Sequence, residues 1–173
     1  MKRLTAAILL AAAGMVPAFA DYPPAGWTAS ITDAVRQAQA ENKMLLLDFT
    51  GSDWCVWCHK LNDEVWSTKE FQDWAKDNVV KVFLDFPKGI EQSQDTQLQN
   101  YVLSQALGVE GYPTIWLLDS DLTPLLRTGY REGGGAAYVS HLSGDRFDLA
   151  PDVQEKFRTG LKQIIEQYVG PLG

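Results

Sequence analysis

The residues best suited to chemistry are Cys55 and Cys58, the only two cysteines in the 173-residue chain. Two residues separate them, so a disulfide between them would close a very small loop and constrain little of the unfolded chain. A small protein that relies on structural disulfides would carry four, six or more cysteines. The pair therefore predicts redox chemistry or metal binding.

The segments around the cysteines indicate how they are positioned. Residues 44–49 form an apolar run interrupted only by Asp48, which is typical of a buried central strand. A helix is expected to begin near Cys55, where unpaired N–H groups and the helix dipole favour an anionic sulfur. Cys55 is thus the predicted attacking thiolate. Cys58 lies one turn further along, where it is expected to be buried and to resolve the mixed disulfide.

Three segments together resemble the thioredoxin family. They are Trp-Cys-Val-Trp-Cys at 54–58, Leu-Asp-Phe at 47–49, and Gly-Tyr-Pro-Thr at 111–114. The layout is especially similar to thioredoxin-like periplasmic proteins and to the soluble C-terminal domain of the transmembrane thiol:disulfide interchange reductases. The match covers roughly residues 27–142. It implies a thioredoxin fold and a protein-disulfide oxidoreductase.

The resemblance implies a cis peptide bond before Pro113, which would pack beside the disulfide. It also implies that exposed backbone at Tyr112 pairs with an extended substrate segment. Asp48 resembles the buried carboxylate that accepts the proton of the resolving cysteine, and burial in an apolar strand should raise its pKa towards that of a general base. Trp54 and Trp57 flank the first cysteine and are predicted to form an apolar surface for a partner protein.

Two departures from the family pattern bear on these roles. One residue more than in typical thioredoxins separates Asp48 from Cys55, which leaves open whether Asp48 only ends the strand. In the interchange reductases a glutamate lies four residues after the second cysteine, and here that position is Asn62. His59 is expected to be a solvated residue of the first helical turn, with tuning of the redox potential as the alternative.

Three other functions share part of the motif. Cys58 and His59 complete the Cys-x-x-Cys-His pattern of c-type haem attachment, for which His141 and Met44 would be the candidate second axial ligands. Haem leaves the apolar strand before the motif and the Tyr-Pro pair after it unexplained. Zinc would need four ligands, and the chain lacks a second Cys-x-x-Cys or a paired histidine. No cofactor and no metal ion is therefore expected. The third alternative is a non-catalytic thioredoxin-fold module that binds a partner and keeps the pair as a structural disulfide.

The elements that must position these residues follow from hydrophobic periodicity and turn composition. Helices alternate with strands first, and a hairpin followed by helices comes last, which predicts a single α/β domain. The expected architecture is a thioredoxin fold, with a central mixed β-sheet flanked by helices and an extra C-terminal helix. The strands are expected at 44–49, 79–86, 113–118 and 122–128, and helices at 28–42, 55–65, 97–107, 133–142 and 152–169. A further helix, capped by Ser67 or Thr68, is expected to hold Phe71, Trp74 and Ala75.

The N-terminal residues 1–20 are predicted to be a cleaved signal peptide. They combine a basic start at Lys2 and Arg3, an apolar run too short to span a membrane, and a small-x-small cleavage pattern at 18–20. The mature chain, 21–173, would be a single thioredoxin-like domain that is periplasmic or secreted and soluble, without stable membrane insertion. Its 13 basic and 22 acidic residues give a net charge of −9, which argues against a nucleic-acid partner.

The predicted export limits the partner proteins to those that are exported or lie in the membrane. The expected substrates are thiols and disulfides of other exported proteins, and a periplasmic reductase would need a source of electrons such as a transmembrane donor. The dipeptide between the cysteines, Val56-Trp57, matches neither Gly-Pro nor Pro-His, the pairs typical of the family's reducing and oxidising extremes. Resemblance to the interchange reductases favours a reductase or isomerase over an oxidase.

Overall fold

The computed structural model describes residues 23–172, and the predicted signal peptide lies outside this range. A central four-stranded sheet is covered by helices on both faces, and a long helix closes the chain. The elements are α1 (Ile31–Glu41), β1 (Met44–Thr50), α2 (Val56–Leu61), a π-helical turn (Asn62–Trp66), α3 (Lys69–Asn78), β2 (Val79–Asp85), α4 (Gln94–Ala106), β3 (Thr114–Leu118), β4 (Pro124–Thr128), α5 (Gly134–Gly144) and α6 (Pro151–Tyr168).

The sheet has the strand order β2-β1-β3-β4, which makes β1 an inner strand. β1 runs parallel to β2, with Asp48 opposite Phe83 and Thr50 opposite Asp85. β3 is antiparallel to β1, and β4 is antiparallel to β3. Every residue of β1 after Met44 is buried, which explains the nearly continuous apolar run in this segment. The expected mixed α/β sheet with a C-terminal helix is confirmed.

Alternate residues of the strands point to two separate cores. One core lies between the sheet and helices α1, α4 and α6, and it includes Leu47 and Phe49 of β1. The other lies between the sheet and the layer of α2, the π-helical turn, α3 and α5, and it includes Leu46 of β1. Asp48 follows Leu46 by two residues, so it lies on the second face, under the helix that begins after Cys55.

Helix α1 begins three residues later than predicted. Ser30 is its N-cap, and the Ser30 side chain accepts a hydrogen bond from the Asp33 N–H. Thr28, which was expected to lie in the helix, instead forms a parallel β-bridge with Val82. The capping residue was visible in the sequence, but the bridge depends on a strand more than fifty residues away.

The helix expected from Cys55 through Val65 is also different. α2 ends at Leu61 and passes directly into the π-helical turn, Asn62–Trp66, which the sequence did not predict. The added residue in a π-turn rotates the side chains that follow it, and such turns are frequent at functional sites. Here both Val65 and Trp66 are buried at the end of the turn.

The C-terminal helix α6 is only partly buried. Leu161 and Ile165 pack into the core, whereas Val153 and Tyr168 are about half exposed. Within residues 23–172, no helix combines the length and the apolar character that a membrane span requires.

Candidate active site

The two cysteines form a disulfide at the start of α2, with their Cα atoms 5.2 Å apart. Cys55 is the N-cap of this helix, and its sulfur accepts a hydrogen bond from the Cys58 N–H at 3.2 Å. The Cys55 N–H donates to the Gly51 carbonyl at 2.9 Å, which closes the turn between β1 and the helix. Only about 5% of each cysteine is exposed. Cys55 is therefore at the helix start, where the sequence predicted it, and its sulfur accepts from a backbone N–H of the first helical turn.

The turn before Cys55 is anchored by the buried carboxylate of Asp85, the last residue of β2. This carboxylate accepts hydrogen bonds from the Ser52 N–H at 2.8 Å and from the Ser52 hydroxyl at 2.5 Å. The Ser52 carbonyl accepts in turn from His59 Nε2 at 2.7 Å. His59 is exposed, as predicted, but its ring is held by the turn. Sequence reasoning overlooked Asp85, although a carboxylate at the end of an apolar strand was the signal that drew attention to Asp48.

The rest of the turn is tied to the loop that follows β2. The Asp53 carboxylate accepts from the Lys88 N–H at 3.0 Å and from the Gly89 N–H at 2.5 Å. Trp54 Nε1 donates to the Phe86 carbonyl at 2.8 Å, and the Lys88 ammonium lies 4.2 Å from the centroid of the Trp54 ring. These contacts orient Trp54 with 37% of its surface exposed.

The peptide bond between Tyr112 and Pro113 is cis, in agreement with the family resemblance. The Tyr112 ring packs edge-on against Trp54, with centroids 5.7 Å apart, and against Phe86 at 5.2 Å. The segment before β3 is therefore joined through Trp54 to the turn that carries the first cysteine. Two of the predicted substrate-binding residues, Trp54 and Tyr112, are in direct contact.

Asp48 lies on β1 with only 2% of its surface exposed. Trp66 Nε1 donates to its Oδ2 at 3.0 Å, whereas its Oδ1 has no hydrogen-bond partner among the described residues. Burial raises the pKa of Asp48 to about 7, the hydrogen bond from Trp66 opposes this rise, and the negative charge of Asp85 adds to it. The Trp66 indole N–H was missed because the π-helical turn that directs it was not foreseen.

A cleft of about 400 Å³ connects Asp48 with the second cysteine. Its walls include Cys58, His59, Trp66 and Phe83 as well as Asp48. The extra residue between Asp48 and the first cysteine does not displace the carboxylate from this cleft. Cys58 and Asp48 therefore border the same cavity.

Trp57, between the cysteines, belongs to an exposed aromatic cluster. Its ring lies 5.3 Å from that of Tyr130, and the Lys60 ammonium lies 5.4 Å from the Trp57 centroid and 4.9 Å from the Tyr130 centroid. The Tyr130 hydroxyl donates to Glu64 at 2.6 Å. Trp57 is 54% exposed and its neighbour Val56 is 73% exposed. A large aromatic surface held by neighbouring side chains is suited to protein contacts.

The residues named for the haem and zinc alternatives have other contacts. The His141 ring lies 2.6 Å from an Asp145 carboxylate oxygen and 3.0 Å from the Thr128 hydroxyl. Met44 begins β1. Within residues 23–172 there is no group of three or more His, Cys, Asp or Glu side chains that could hold a metal ion.

Comparison with known proteins points to one family. A family model described as thioredoxin-like matches residues 26–120. Disulfide bond reductase DsbH of Chlamydia pneumoniae is 36% identical over 111 residues, which cover 64% of this chain and 67% of that protein. Thioredoxin-related protein DsbJ of the same organism is 26% identical over 103 residues, which cover 60% of this chain and 30% of that protein. A solved structure of DsbH oxidoreductase superposes with a TM-score of 0.65 at 35% identity, over 68% of this chain and 81% of that one.

Proposed function

Because the chain belongs to the thioredoxin-like family, we propose that it reduces disulfide bonds of exported proteins with Cys55 and Cys58 as its dithiol. The chain has a thioredoxin fold and is a protein-disulfide oxidoreductase. The observation that carries the proposal is the joint placement of the cysteines and a carboxylate. Cys55 caps α2, while Cys58 shares a cleft with the buried Asp48.

The reaction begins with Cys55. Backbone N–H groups at the start of α2, including that of Cys58, favour the thiolate of Cys55 in the dithiol form. This thiolate attacks one sulfur of the substrate disulfide and forms a mixed disulfide, and the other substrate sulfur leaves as a thiolate. Cys58 then loses its proton and attacks the Cys55 sulfur. The second substrate thiolate leaves, the Cys55–Cys58 disulfide closes, and two electrons have passed to the substrate.

Asp48 is the proposed acceptor of the Cys58 proton. A group with a pKa of about 7 is partly ionised at neutral pH, and it can therefore both take up and release a proton in each cycle. Trp66 holds one carboxylate oxygen and leaves Oδ1 without a partner among the described residues. An Oδ1 atom without such a partner supports the role of Asp48 as a base.

The proposed docking surface for the substrate consists of Trp54, Trp57, Tyr112 and Pro113. An extended segment of the substrate pairs with backbone at Tyr112 by strand addition. The half-exposed ring of Trp57 supplies apolar contact area beside the disulfide. Replacement of Trp57 should therefore weaken reactions with protein substrates more than reactions with small disulfides.

Export rests on the sequence of residues 1–20, which have the pattern of a signal peptide. The mature chain 21–173 then acts as one thioredoxin-like domain in the periplasm or outside the cell. In such a compartment its disulfide has to be reduced again after each cycle, and a transmembrane electron donor is the proposed source. Reduction of the oxidised protein by a purified donor domain of this kind would test that partner.

Reduction of insulin by dithiothreitol tests the enzymatic role. The wild-type chain should accelerate the reaction, Cys55→Ser should abolish the acceleration, and Cys58→Ser should accumulate the mixed disulfide with the substrate. A wild-type chain no more active than Cys55→Ser would instead favour the module that only binds a partner and keeps a structural disulfide.

The direction of electron flow is tested by equilibrating the Cys55–Cys58 couple with glutathione. A reductase should have a potential below about −230 mV, whereas a value near about −120 mV would identify an oxidase. The name of the relative DsbH, a disulfide bond reductase, supports the first outcome.

A further inference from the structure

The mechanism above leaves one buried carboxylate of the site without a role, that of Asp85. None of its surface is exposed. It accepts hydrogen bonds from the Ser52 N–H and from the Ser52 hydroxyl. Both groups donate to the carboxylate, so they stabilise its ionised form. Burial acts in the opposite direction and raises the pKa of Asp85.

The sheet places this carboxylate on the same face as Asp48. In the parallel pair β1–β2, Asp48 is opposite Phe83 and Thr50 is opposite Asp85. Residues two apart on a strand share a face, so Asp48 and Asp85 occupy diagonal positions on neighbouring strands under the same helical layer. Like charges at such positions oppose each other's ionisation, and the charge of Asp85 contributes to the raised pKa of Asp48.

We propose that Asp85 is a positioning residue for the exchange reaction. Its carboxylate holds the turn that presents Cys55, and its negative charge opposes ionisation of Asp48 on the same buried face of the sheet. The first effect acts through Ser52, which bonds Asp85 with its N–H and hydroxyl and His59 with its carbonyl. The second effect rests on the proposed function, because the proton affinity of Asp48 matters only if Asp48 serves Cys58.

Other ionisable groups lie near the pair, and among them the negative charge of Asp85 opposes ionisation of Asp48. Lys81 is on the same face of β2, but its ammonium lies 5.2 Å from the Trp27 ring and 3.4 Å from the Gln72 side chain. The ionisable groups that face Asp48 or Asp85 come from four surrounding segments. They are Cys58 and His59 of α2, Asp63 of the π-helical turn, Tyr138 of α5 and Asp53 of the anchored turn.

Carboxyl ¹³C NMR titration of the oxidised protein tests the proposal, because the disulfide removes the cysteines from the titration. The Asp48 signal is assigned by its loss in Asp48→Asn. In Asp85→Asn, its midpoint should move to lower pH by about one unit. Two controls separate charge from anchoring. Ser52→Ala removes a donor to Asp85 but keeps the charge, and Asp53→Asn removes a neighbouring exposed carboxylate of the same turn. Both should keep the wild-type midpoint.

An Asp48 midpoint in folded Asp85→Asn within about 0.2 units of wild type would overturn the proposal, as would an equal shift in Ser52→Ala. If Asp85→Asn does not fold, the shape of the Asp48 titration curve in the wild-type protein tests the proposal instead. Coupled carboxyls give an Asp48 curve with a second step at the Asp85 midpoint, and a single-step curve would overturn the proposal. These measurements need no enzymatic activity. Failure of the proposed function would appear separately, as insulin reduction no faster than with Cys55→Ser.

Discussion

Asp48→Asn should stabilise the oxidised protein, and the gain should grow with pH. Asparagine has nearly the same shape as aspartate and keeps an oxygen that can accept from Trp66 Nε1. In the wild type, burial raises the pKa of Asp48 from 3.8 to about 7. The folded chain therefore binds this proton more tightly than the unfolded chain. The stability that this provides is complete below about pH 4 and is lost as the pH rises through about 7.

The size of the effect follows from the difference between the two pKa values. Three units correspond to about 4 kcal/mol of unfolding free energy at pH values above 7, since each unit is worth about 1.4 kcal/mol. Asp48 is fully buried, so solvent screening does not reduce this figure. Between pH 5 and pH 8, the stability advantage of Asp48→Asn over wild type should increase by about 2.5 kcal/mol.

Urea denaturation at pH 5, 6, 7 and 8 measures the difference in unfolding free energy between Asp48→Asn and the wild type, with both proteins in the disulfide form. Asp53→Asn is the matched control, because it makes the same chemical change at an exposed carboxylate of the neighbouring turn. Its stability relative to wild type should not follow the same pH dependence. An advantage of Asp48→Asn that stays constant over this range would refute the view that Asp48 is held protonated by burial.

Two further predictions concern the packing around the site. Trp66→Phe removes the hydrogen bond that lowers the pKa of Asp48, so the carboxyl NMR midpoint of Asp48 should move to higher pH; a midpoint unchanged or lowered would contradict the assigned role of the indole N–H. Gly135→Ala would place a Cβ atom 2.0 Å from the Thr68 hydroxyl oxygen, so urea denaturation should show a loss of about 1–3 kcal/mol. The same change at Gly160 of α6, where nothing lies within 4 Å of the added atom, should instead stabilise by up to about 1 kcal/mol, and equal losses at both glycines would be inconsistent with this explanation.

Local sequence signals located most of the helices and strands. Capping residues such as Ser30 and Thr68 mark helix starts because their side chains bond N–H groups two or three residues away. The inner strand β1 was recognisable because burial on both faces demands an apolar run. The π-helical turn was not recognisable, since the sequence through Asn62–Trp66 continues an ordinary helical pattern and the wider turn depends on packing.

At the candidate site, too, local features were predictable from the sequence and features that depend on packing were not. The spacing of Cys55 and Cys58 determines that one helical turn separates them, and a carboxylate in an apolar strand is exceptional enough to identify Asp48. The contribution of Trp66 could not be inferred, because it depends on a turn that rotates a core residue towards Asp48. Tyr130 is distant in sequence from Trp57, and only the packing of β4 and α5 against the active-site layer brings their rings together.

By itself, the amino-acid sequence determined the reactive pair, the strand and helix that hold it, and the carboxylate buried in that strand. These features are local, because they depend on residue type and on periodicity within one element. Tertiary structure decided how far the pKa of Asp48 is shifted. Parallel pairing of β1 with β2 sets Asp85 beside Asp48 on one buried face, and electrostatic coupling depends on distance and burial, which no single segment of the chain specifies.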